Sequence, residues 1–585
     1  MKNLSLVSRA AWCQRLACTA VALLAASPAW SAELLISFQP LPNGEVELSY
    51  TPPEGMRELP FFQESPNAHS VWRFMQMRAA SPCATLGEHG IQLRDTPSCT
   101  TAVFHLRPHE ISRFGLAEPV QATGDGRGAV VYSGQFAVLL PGTDLHWRWL
   151  PAAGAGAYVM RQGQVSTQTL DVRVPAQQVD QALKDGTKAD LGALGAAEYV
   201  LMARAPVQTI EGLPVMLDPG LDAGVAERIR HALGTDLASL QRLYGTPLKG
   251  PHAVIALASA LPGMRADVAA DTLRLSVARL PESLPNELLE QTVARDLARW
   301  WTSEVFRADP DRSWLQEGHA DWMALLLLAQ DGRWGGKGLS DRMAYTVNQC
   351  LRGRGEEVAA LRPAHRQVDD DALSCGMSLM MLGQARIQAR AQPAVPPALR
   401  VMAGLYKDHP TLDVAGFARW ADGAETGPVH KLLLDTRTGF AEEFARQLGE
   451  LQLAQARTTT ATLPKLMGAL MQSDCDGKQG FFARPQSFKL EKREDLQCKT
   501  LLTGEEVTRI AGASLSSDAL SIWQAVDRAC QPSLGGGALL VLDYRNGENS
   551  SMSCPKALQD PQLRLEYQFS PDALQRLGLS AAAKS

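Results

Sequence analysis

The chain lacks the features that would assign it to several broad classes of protein. After the first 26 residues it contains no run of about 18 uncharged apolar residues, which is roughly the length that a membrane-spanning helix needs. Positive charge is not in excess, because 57 lysines and arginines face 62 acidic residues and the formal net charge is −5. Proteins that act mainly on nucleic acid carry a basic surface. The composition therefore predicts a mature protein with no transmembrane segment and no nucleic-acid partner.

Common catalytic and metal-binding signatures are also absent. The sequence contains no G-x-S-x-G nucleophile turn, no P-loop and no C-x-x-C pair. These patterns are typical of serine hydrolases, nucleotide-binding enzymes and zinc ribbons respectively. A catalytic or binding function must therefore come from a different arrangement of residues.

Residues 1–32 form a predicted secretory signal peptide. Lys2, Arg9 and Arg15 supply a positive N-terminal region, and the apolar run over residues 16–26 is too short to span a bilayer comfortably. Small residues follow this run, so we expect cleavage near Ser31 or Ala32. The mature protein is predicted to be periplasmic or secreted.

Eight cysteines remain after the signal peptide, and an even number in an exported chain predicts disulfides. They occur as sequence neighbours, with one pair in each of two regions and two pairs in the last region. We predict that neighbours pair with each other, as Cys83–Cys99, Cys350–Cys375, Cys475–Cys498 and Cys530–Cys554. The sequence alone leaves other connectivities open.

The hydrophobic patterns divide the chain into four segments of a multidomain α+β protein. Residues 33–178 contain short alternating runs punctuated by turn residues, which predicts an N-terminal β-sandwich. Residues 179–340 combine helical periodicity with strand-length apolar runs, and residues 341–460 are mainly helical. Residues 465–585 mix short strands with one clear helix. The length agrees with three or four domains of about 150 residues each.

The central sequence TVARDLARWW, residues 292–301, has the pattern of an amphipathic helix. Arg295 and Arg299 lie four residues apart, so their side chains share one helix face. Two histidines at this spacing can bind one zinc ion, and a neighbouring glutamate can act as base for a zinc-bound water. Charged residues at this spacing are also common on solvated helix faces, and taken alone the segment favours that structural interpretation.

The downstream sequence SWLQEGHADW, residues 313–322, closely resembles the second motif helix of the gluzincin peptidases. This superfamily includes the aminopeptidase N and glycyl aminopeptidase families, and its second helix carries W-L-x-E-G with an aromatic residue further on. The counterparts here are Trp314, Leu315, Glu317, Gly318 and Trp322. The resemblance implies a thermolysin-like peptidase domain with a helical C-terminal part. It also implies that Glu317 occupies the position of the third zinc ligand.

The same resemblance extends to the segment TVARDLARWW. The first gluzincin helix carries H-E-x-x-H followed by a tryptophan, and Trp301 corresponds to that tryptophan. This alignment places Arg295 and Arg299 at the two histidine positions and Asp296 at the position of the general base. The active site that the resemblance implies is therefore degenerate.

A third segment, SCGMSLMMLGQ over residues 374–384, resembles the later gluzincin helix that supplies a transition-state tyrosine. Gly376 is retained, and Leu373 stands where the tyrosine would be. A β domain in front and a small domain behind are similar to the glycyl aminopeptidase family, which ends in a PDZ domain. That family therefore gives the closest resemblance.

The replacements would remove the chemistry of a zinc peptidase. Arginine stays protonated and can only donate hydrogen bonds, so it cannot coordinate zinc. Without zinc, a buried Glu317 would lack a partner, which is costly. We therefore predict that Arg299 or Arg295 forms an ion pair with Glu317. We expect no catalytic residue, no metal and no cofactor.

The alternative is a divergent zinc metallo-aminopeptidase with a remodelled metal site. His319, Asp321, Asp296 and Glu317 would then supply ligands, and zinc would be the cofactor. Glu317 and Asp321 lie four residues apart on one helix face, while His319 points elsewhere. This ligand set is therefore the less favoured interpretation.

The C-terminal region resembles a PDZ domain. The sequence CDGKQGFF, residues 475–482, is similar to the glycine-containing loop that captures a peptide's terminal carboxylate, with Gly480 and Phe481 at its centre. The segment SSDALSIWQAVDRAC, residues 516–530, is similar to the helix that borders the peptide groove. The resemblance implies peptide binding at Gly480 and Phe481. A small α+β domain without a peptide groove is the alternative.

These interpretations predict an exported, catalytically inactive metallopeptidase-like protein that binds a peptide or protein ligand. Binding would use the vestigial cleft, the PDZ-like module, or both. A purely structural assembly subunit is a third interpretation. The sequence identifies neither the partner nor the oligomeric state.

Overall fold

A computed structural model describes most of the chain. It covers residues 32–579 apart from residues 63–69, 109–117, 187–190, 249, 262, 280–285, 306, 309–312, 352–369, 392–396, 406–410, 413, 425, 435–438 and 532–537. The predicted signal peptide lies outside the described residues except for Ala32, which begins the first strand.

The chain divides into two compact units. The first comprises residues 1–228 and 250–285, and the second comprises residues 229–249 and 286–585. The fold is multidomain α+β, as the sequence predicts. The four predicted segment boundaries stay predictions.

The first unit contains two large sheets. Strands of the six-stranded sheet, in spatial order, are β13 Leu170–Val174, β10 Thr143–Trp149, β1 Ala32–Pro40, β2 Val46–Thr51, β7 Ala102–Leu106 and β4 Met77–Ala79. Strands of the five-stranded sheet are β12 Gln164–Ser166, β11 Tyr158–Arg161, β14 Tyr199–Ala203, β9 Ala129–Tyr132 and β8 Val120–Ala122. A small sheet joins β3 Glu58–Pro60, β6 Gly90–Leu93 and β5 Ala84–Leu86.

Alternating apolar residues bury one face of these strands. In β1 and β2 every second residue is buried, which is the pattern of a sheet with one face on a core. Phe38 stacks on Trp149 with ring centroids 4.1 Å apart, and Trp147 lies next to Trp149. The strand β14 belongs to the five-stranded sheet, so β structure continues beyond residue 178.

A mixed five-stranded sheet completes the first unit. Its strands, in spatial order, are β15 Val207–Ile210, β16 Leu213–Leu217, β17 Ala253–Ser259, β19 Thr272–Ala278 and β18 Met264–Ala269. The three central strands run parallel, and β17 and β19 are buried along their whole length. Continuous burial is typical of parallel strands.

Three helices begin in the first unit: α1 Ser70–Gln76, α2 Ala176–Asp185 and α3 Ala223–Tyr244, which continues into the second unit. Helices then dominate, as predicted. They are α4 Asn286–Val305, α5 Ser313–Gln330, α6 Gly336–Cys350, α7 Asp370–Arg390, α8 Ala398–Gly404, α9 Val414–Asp422, α10 Pro428–Leu434 and α11 Phe440–Glu450. Two short strands, β20 Arg307–Ala308 and β21 Thr411–Leu412, pair in parallel.

The C-terminal part of the second unit has its own core. It contains α12 Leu463–Asp474 and α13 Ala519–Cys530. Helix α14 Pro571–Arg576 contacts α6 and α7 instead. The strands of its larger sheet are β23 Phe481–Arg484, β24 Ser487–Leu490, β25 Glu506–Ile510, β26 Ala513–Ser514, β27 Leu539–Tyr544 and β28 Asn549–Ser553. A second sheet pairs β22 Ala454–Arg457 with β29 Glu566–Phe569.

The eight cysteines of the described residues form disulfides, and the pairs are the four predicted from the sequence. Structural disulfides persist in oxidising compartments, which agrees with an extracellular or periplasmic protein. Among the described residues, no helix has the length and apolar character that crossing a membrane requires.

Candidate functional site

Three packed helices of the second unit bring the predicted site residues together. Helix α5 packs against both α4 and α7. The stripe of Leu289, Val293 and Leu297 on α4 is fully buried, as the apolar spacing predicts. This stripe fixes the rotation of α4 and leaves the face that carries Arg295 and Arg299 at the edge of the helical core.

Two glycines allow α5 and α7 to approach closely. A Cβ atom added to Gly318 would lie 2.1 Å from the carbonyl carbon of Gly376 and 2.4 Å from the backbone nitrogen of Met377. Real Cβ atoms do not make such short contacts with backbone, so only glycine fits at position 318. The contact sets the position of the neighbouring residue Glu317.

Arg299 and Glu317 form an ion pair between α4 and α5. Arg299 Nη2 lies 2.5 Å from Glu317 Oε1. Burial raises the pKa of Glu317 above its ordinary value, and the charges of Arg299 and Arg295 oppose this effect. The prediction that an arginine of α4 pairs with Glu317 is confirmed, and Arg299 is the one that does so.

Arg295 binds its own neighbour instead. Its Nε and Nη2 donate to the two carboxylate oxygens of Asp296 at 3.1 Å and 3.3 Å. The charge of Asp296 raises the pKa of Arg295, and Asp321 and Glu317 add to this effect. Asp296 is thus a bidentate hydrogen-bond acceptor for a guanidinium group.

A third arginine joins the cluster from α6. Burial raises the pKa of Asp321, while the positive charges of Arg295 and Arg342 lower it. In the flipped orientation of its amide, the Gln291 carbonyl oxygen accepts from Arg342 Nε at 3.1 Å and Nη2 at 3.0 Å. The cluster therefore balances three guanidinium groups against three carboxylates, Asp296, Glu317 and Asp321.

The charges of this cluster are arranged by depth. The side chains of Asp296 and Glu317 are 2% and 15% exposed, and Asp321 is also buried. Those of Arg295 and Arg299 are 32% and 39% exposed. The carboxylate is therefore the deeper partner and the guanidinium the more exposed partner in both pairs.

His319 does not take part in this cluster. Its ring is fully buried, and Nδ1 lies 3.2 Å from the hydroxyl of Thr302. Burial lowers its pKa to about 3, although a hydrogen bond to the Met402 backbone opposes the effect. The geometry agrees with the expectation that His319 points away from Glu317.

The residues present do not fit a zinc ion. Arginine cannot coordinate a metal, and the oxygen Glu317 Oε1 already contacts a guanidinium group. Within the described part of the chain, one group of three potential ligands converges closely enough for a metal: Asp474, Cys475 and Cys498. Those two cysteines are joined in a disulfide, so their sulfurs are not thiolate ligands.

The remaining predicted residues lie elsewhere or outside the described side chains. Trp314 lies in α5 and Leu373 in α7, but both side chains are outside the described part. Gly480 and Phe481 lie at the start of β23, an edge strand of the C-terminal sheet. The carbonyl of Gly480 accepts from the backbone of Glu491 at 2.9 Å.

Arg342 and Gln291 were not anticipated from the sequence. Gln291 precedes Arg295 by one helical turn, so its position on the same face of α4 is a signal that helical spacing contains. Arg342 reaches the cluster from a separate helix, and nothing in its local sequence marks it.

The fold is aminopeptidase-like. The chain is similar in structure to the crystal structure of an aminopeptidase N family protein from Idiomarina loihiensis, with a TM-score of 0.52 and 12% sequence identity. The match covers 93% of this chain and 99% of that one. At this identity the likeness establishes the fold alone. No protein-family profile matches the chain, and no curated protein matches it.

Proposed function

We propose that this protein is an exported, catalytically inactive relative of the gluzincin aminopeptidases that binds polypeptide. The glycyl aminopeptidase family with its C-terminal PDZ domain is the nearest pattern. The observation that carries the proposal is the ion pair between Arg299 and Glu317. In the alignment with the gluzincin motifs, Arg299 stands at one of the two histidine positions and Glu317 at the position of the third zinc ligand. Two of the three ligand positions are therefore joined in this ion pair.

The surroundings of Asp296 also support the loss of catalysis. A general base must approach the proton that it removes to within about 3 Å. Asp296 is 2% exposed, and both of its carboxylate oxygens accept hydrogen bonds from Arg295. Water activation at this carboxylate would have to compete with that bidentate contact.

The C-terminal region offers a second place for a polypeptide. An extended peptide can add to the free edge of a sheet through backbone hydrogen bonds. Strand β23 forms such an edge, and its Phe482 side chain is 60% exposed. A shallow cavity of about 410 Å³ lies beside Phe482 and the backbone near Lys489 and Gly504.

Metal content and peptidase activity test the catalytic half of the proposal. Purified protein is dialysed against zinc, analysed for bound metal, and assayed with aminoacyl-coumarin substrates. We expect no stoichiometric zinc and no hydrolysis. Stoichiometric zinc that is lost on Glu317→Ala would overturn the proposal and favour a divergent zinc aminopeptidase.

A reconstruction variant tests whether the helix stands at a former metal site. The triple variant R295H/D296E/R299H supplies the H-E-x-x-H pattern opposite Glu317. We expect it to gain one zinc ion, and we expect the same variant with E317Q to bind zinc at least tenfold more weakly. If the triple variant folds but binds zinc no better than wild type does, the alignment with the gluzincin motif is wrong.

Binding of an unfolded chain tests the proposal that the protein binds polypeptide. Reduced, carboxamidomethylated α-lactalbumin labelled with a fluorophore is a permanently unfolded probe, and anisotropy reports its binding. We expect saturable binding that weakens in R299Q, in F482S, or in both, depending on which surface is used. Absence of binding in the wild-type protein would overturn the proposal of polypeptide binding.

A further inference from the structure

The charged cluster between α4 and α5 presents hydrogen-bond donors to solvent on its exposed side. Arg295 and Arg299 lie one helical turn apart on α4, and about a third of each side chain meets solvent. The carboxylates that neutralise them lie beneath, on the inner side. A ligand that approaches from solvent therefore meets donors before it meets acceptors.

The ion pair leaves part of the Arg299 guanidinium available. A guanidinium group carries five N–H donors in a planar fork that matches a carboxylate. Arg299 Nη2 contacts Glu317 Oε1, and 39% of the Arg299 side chain meets solvent. A second carboxylate can therefore approach the fork without displacing Glu317.

The charges nearest to solvent in this cluster are those of Arg295 and Arg299. Burial raises the pKa of both Glu317 and Asp321 above the ordinary values of these acids, while the charges of the neighbouring arginines lower it. The guanidinium groups stay protonated under all ordinary conditions. The local field at the surface therefore favours an incoming anion.

We propose that Arg295 and Arg299 form a recognition site for a carboxylate group on the bound polypeptide. This inference rests on the proposed function and specifies the ligand of that site. The carboxylate belongs either to the C-terminus of a chain or to an acidic side chain, since both present the same planar pair of oxygens.

Four labelled decapeptides of otherwise identical sequence distinguish the two sources. They carry either two glutamates or two glutamines, and end in either a free carboxylate or an amide. We expect the peptide with neither carboxylate to bind wild-type protein at least tenfold more weakly than the best of the four. If the change from glutamate to glutamine causes this loss, the carboxylate belongs to an acidic side chain. If amidation causes it, the carboxylate belongs to the C-terminus.

Variants that are expected to change the affinity in opposite directions separate recognition from a structural role. We expect R299Q to weaken carboxylate-dependent binding about tenfold, because it removes a charge-assisted hydrogen bond to the ligand. R299K should retain part of the affinity. E317Q should strengthen binding about threefold, because it removes the competing negative charge. R446Q, at another exposed and ion-paired arginine of the same unit, is the matched control and should change nothing.

The outcomes distinguish this inference from the proposed function. Equal binding of all four peptides would overturn the carboxylate site and leave polypeptide binding intact. No binding of any peptide or of the unfolded probe would overturn both. If R299Q and E317Q weaken binding alike while their thermal midpoints match wild type, or if F482S alone abolishes carboxylate dependence, the site is not at these arginines.

Discussion

Two of the arginine–carboxylate clusters among the described residues differ in their access to water. In the first unit, Arg274 of β19 is fully buried and its Nη2 lies 3.0 Å from Asp267 and 4.0 Å from Glu118. The guanidinium carbon of Arg274 also lies 4.7 Å from the ring centre of Tyr199. In the second unit, Arg299 pairs with Glu317 but remains 39% exposed.

The difference shows that the same pair of side chains has different consequences at different depth. Around Arg274 the surrounding protein supplies every contact of the charge, so the cluster links β19, β18 and the residues near Glu118. Around Arg299 solvent screens the charge, so the ion pair contributes little to stability but leaves donors accessible. Depth therefore separates a structural cluster from a candidate binding site.

Removal of Arg274 should have the largest effect. R274M leaves Asp267 and Glu118 without this guanidinium, and breaking a buried pair costs about 4 kcal/mol in free energy of unfolding. Denaturant unfolding of the purified variant measures the loss. R148M is the matched control, because Arg148 pairs with Asp171 on an exposed surface of the same unit and should cost under about 1 kcal/mol. Equal losses would contradict the role assigned to depth.

The pair of Asp236 and Arg333 is a third case in this comparison of ion pairs by depth. Burial raises the pKa of Asp236 to about 6, although the charge of Arg333 lowers it. An acid with a raised pKa contributes stability below its unfolded pKa, and that stability is lost as the pH rises through the folded pKa. The contribution should therefore fall by roughly 2.4 kcal/mol between pH 4 and pH 7, since this window covers most of the shift and one pKa unit corresponds to about 1.4 kcal/mol.

Calorimetric unfolding of wild type and D236N across this range isolates the effect, because the other titrating groups are common to both. Wild type should lose stability relative to D236N as the pH rises. D331N, which alters the more exposed acid beside Arg333, should lower the slope only slightly, because burial raises the pKa of Asp236 more than the charge of Asp331 does. A difference between wild type and D236N that stays constant from pH 4 to pH 7 would refute the raised pKa.

The close approach of α5 and α7 sets the geometry of the open cluster. G318A places a Cβ atom 2.1 Å from the backbone of Gly376, so the helices must separate and stability should fall by about 2 kcal/mol. G338A on α6 is the control, because its nearest atom lies 4.0 Å away and alanine is the better helix former. A G318A protein as stable as wild type would show that the contact does not position Glu317.

The glycine contact also shows what the sequence could predict. Gly318 and Gly376 were both identified by motif resemblance, and the structure places them against each other. The amphipathic pattern predicted α4, and the order of the cysteines predicted four disulfides that close only 16 to 25 residues each. These features depend on residues that are near in sequence.

Features that depend on distant residues could not be predicted. Helical spacing places Arg295 and Arg299 on one face, but the crossing of α4 with α5 decides which of them reaches Glu317. Arg342 enters from a third helix. The parallel pairing of β1 with β10 joins residues more than 100 positions apart, and no local pattern encodes it.

The Arg299–Glu317 pair should have the smallest effect on stability, because its arginine is the solvent-exposed one in the comparison. A double-mutant cycle of R299Q and E317Q should give a coupling free energy of about 0.5–1 kcal/mol, because exposed ion pairs are screened and cost side-chain entropy. The coupling should fall further in 1 M salt. A coupling above about 2 kcal/mol that salt does not reduce would mean that the pair is enclosed like that of Arg274. Its guanidinium would then have no free donors for a ligand, and the carboxylate site would fail together with the contrast in depth.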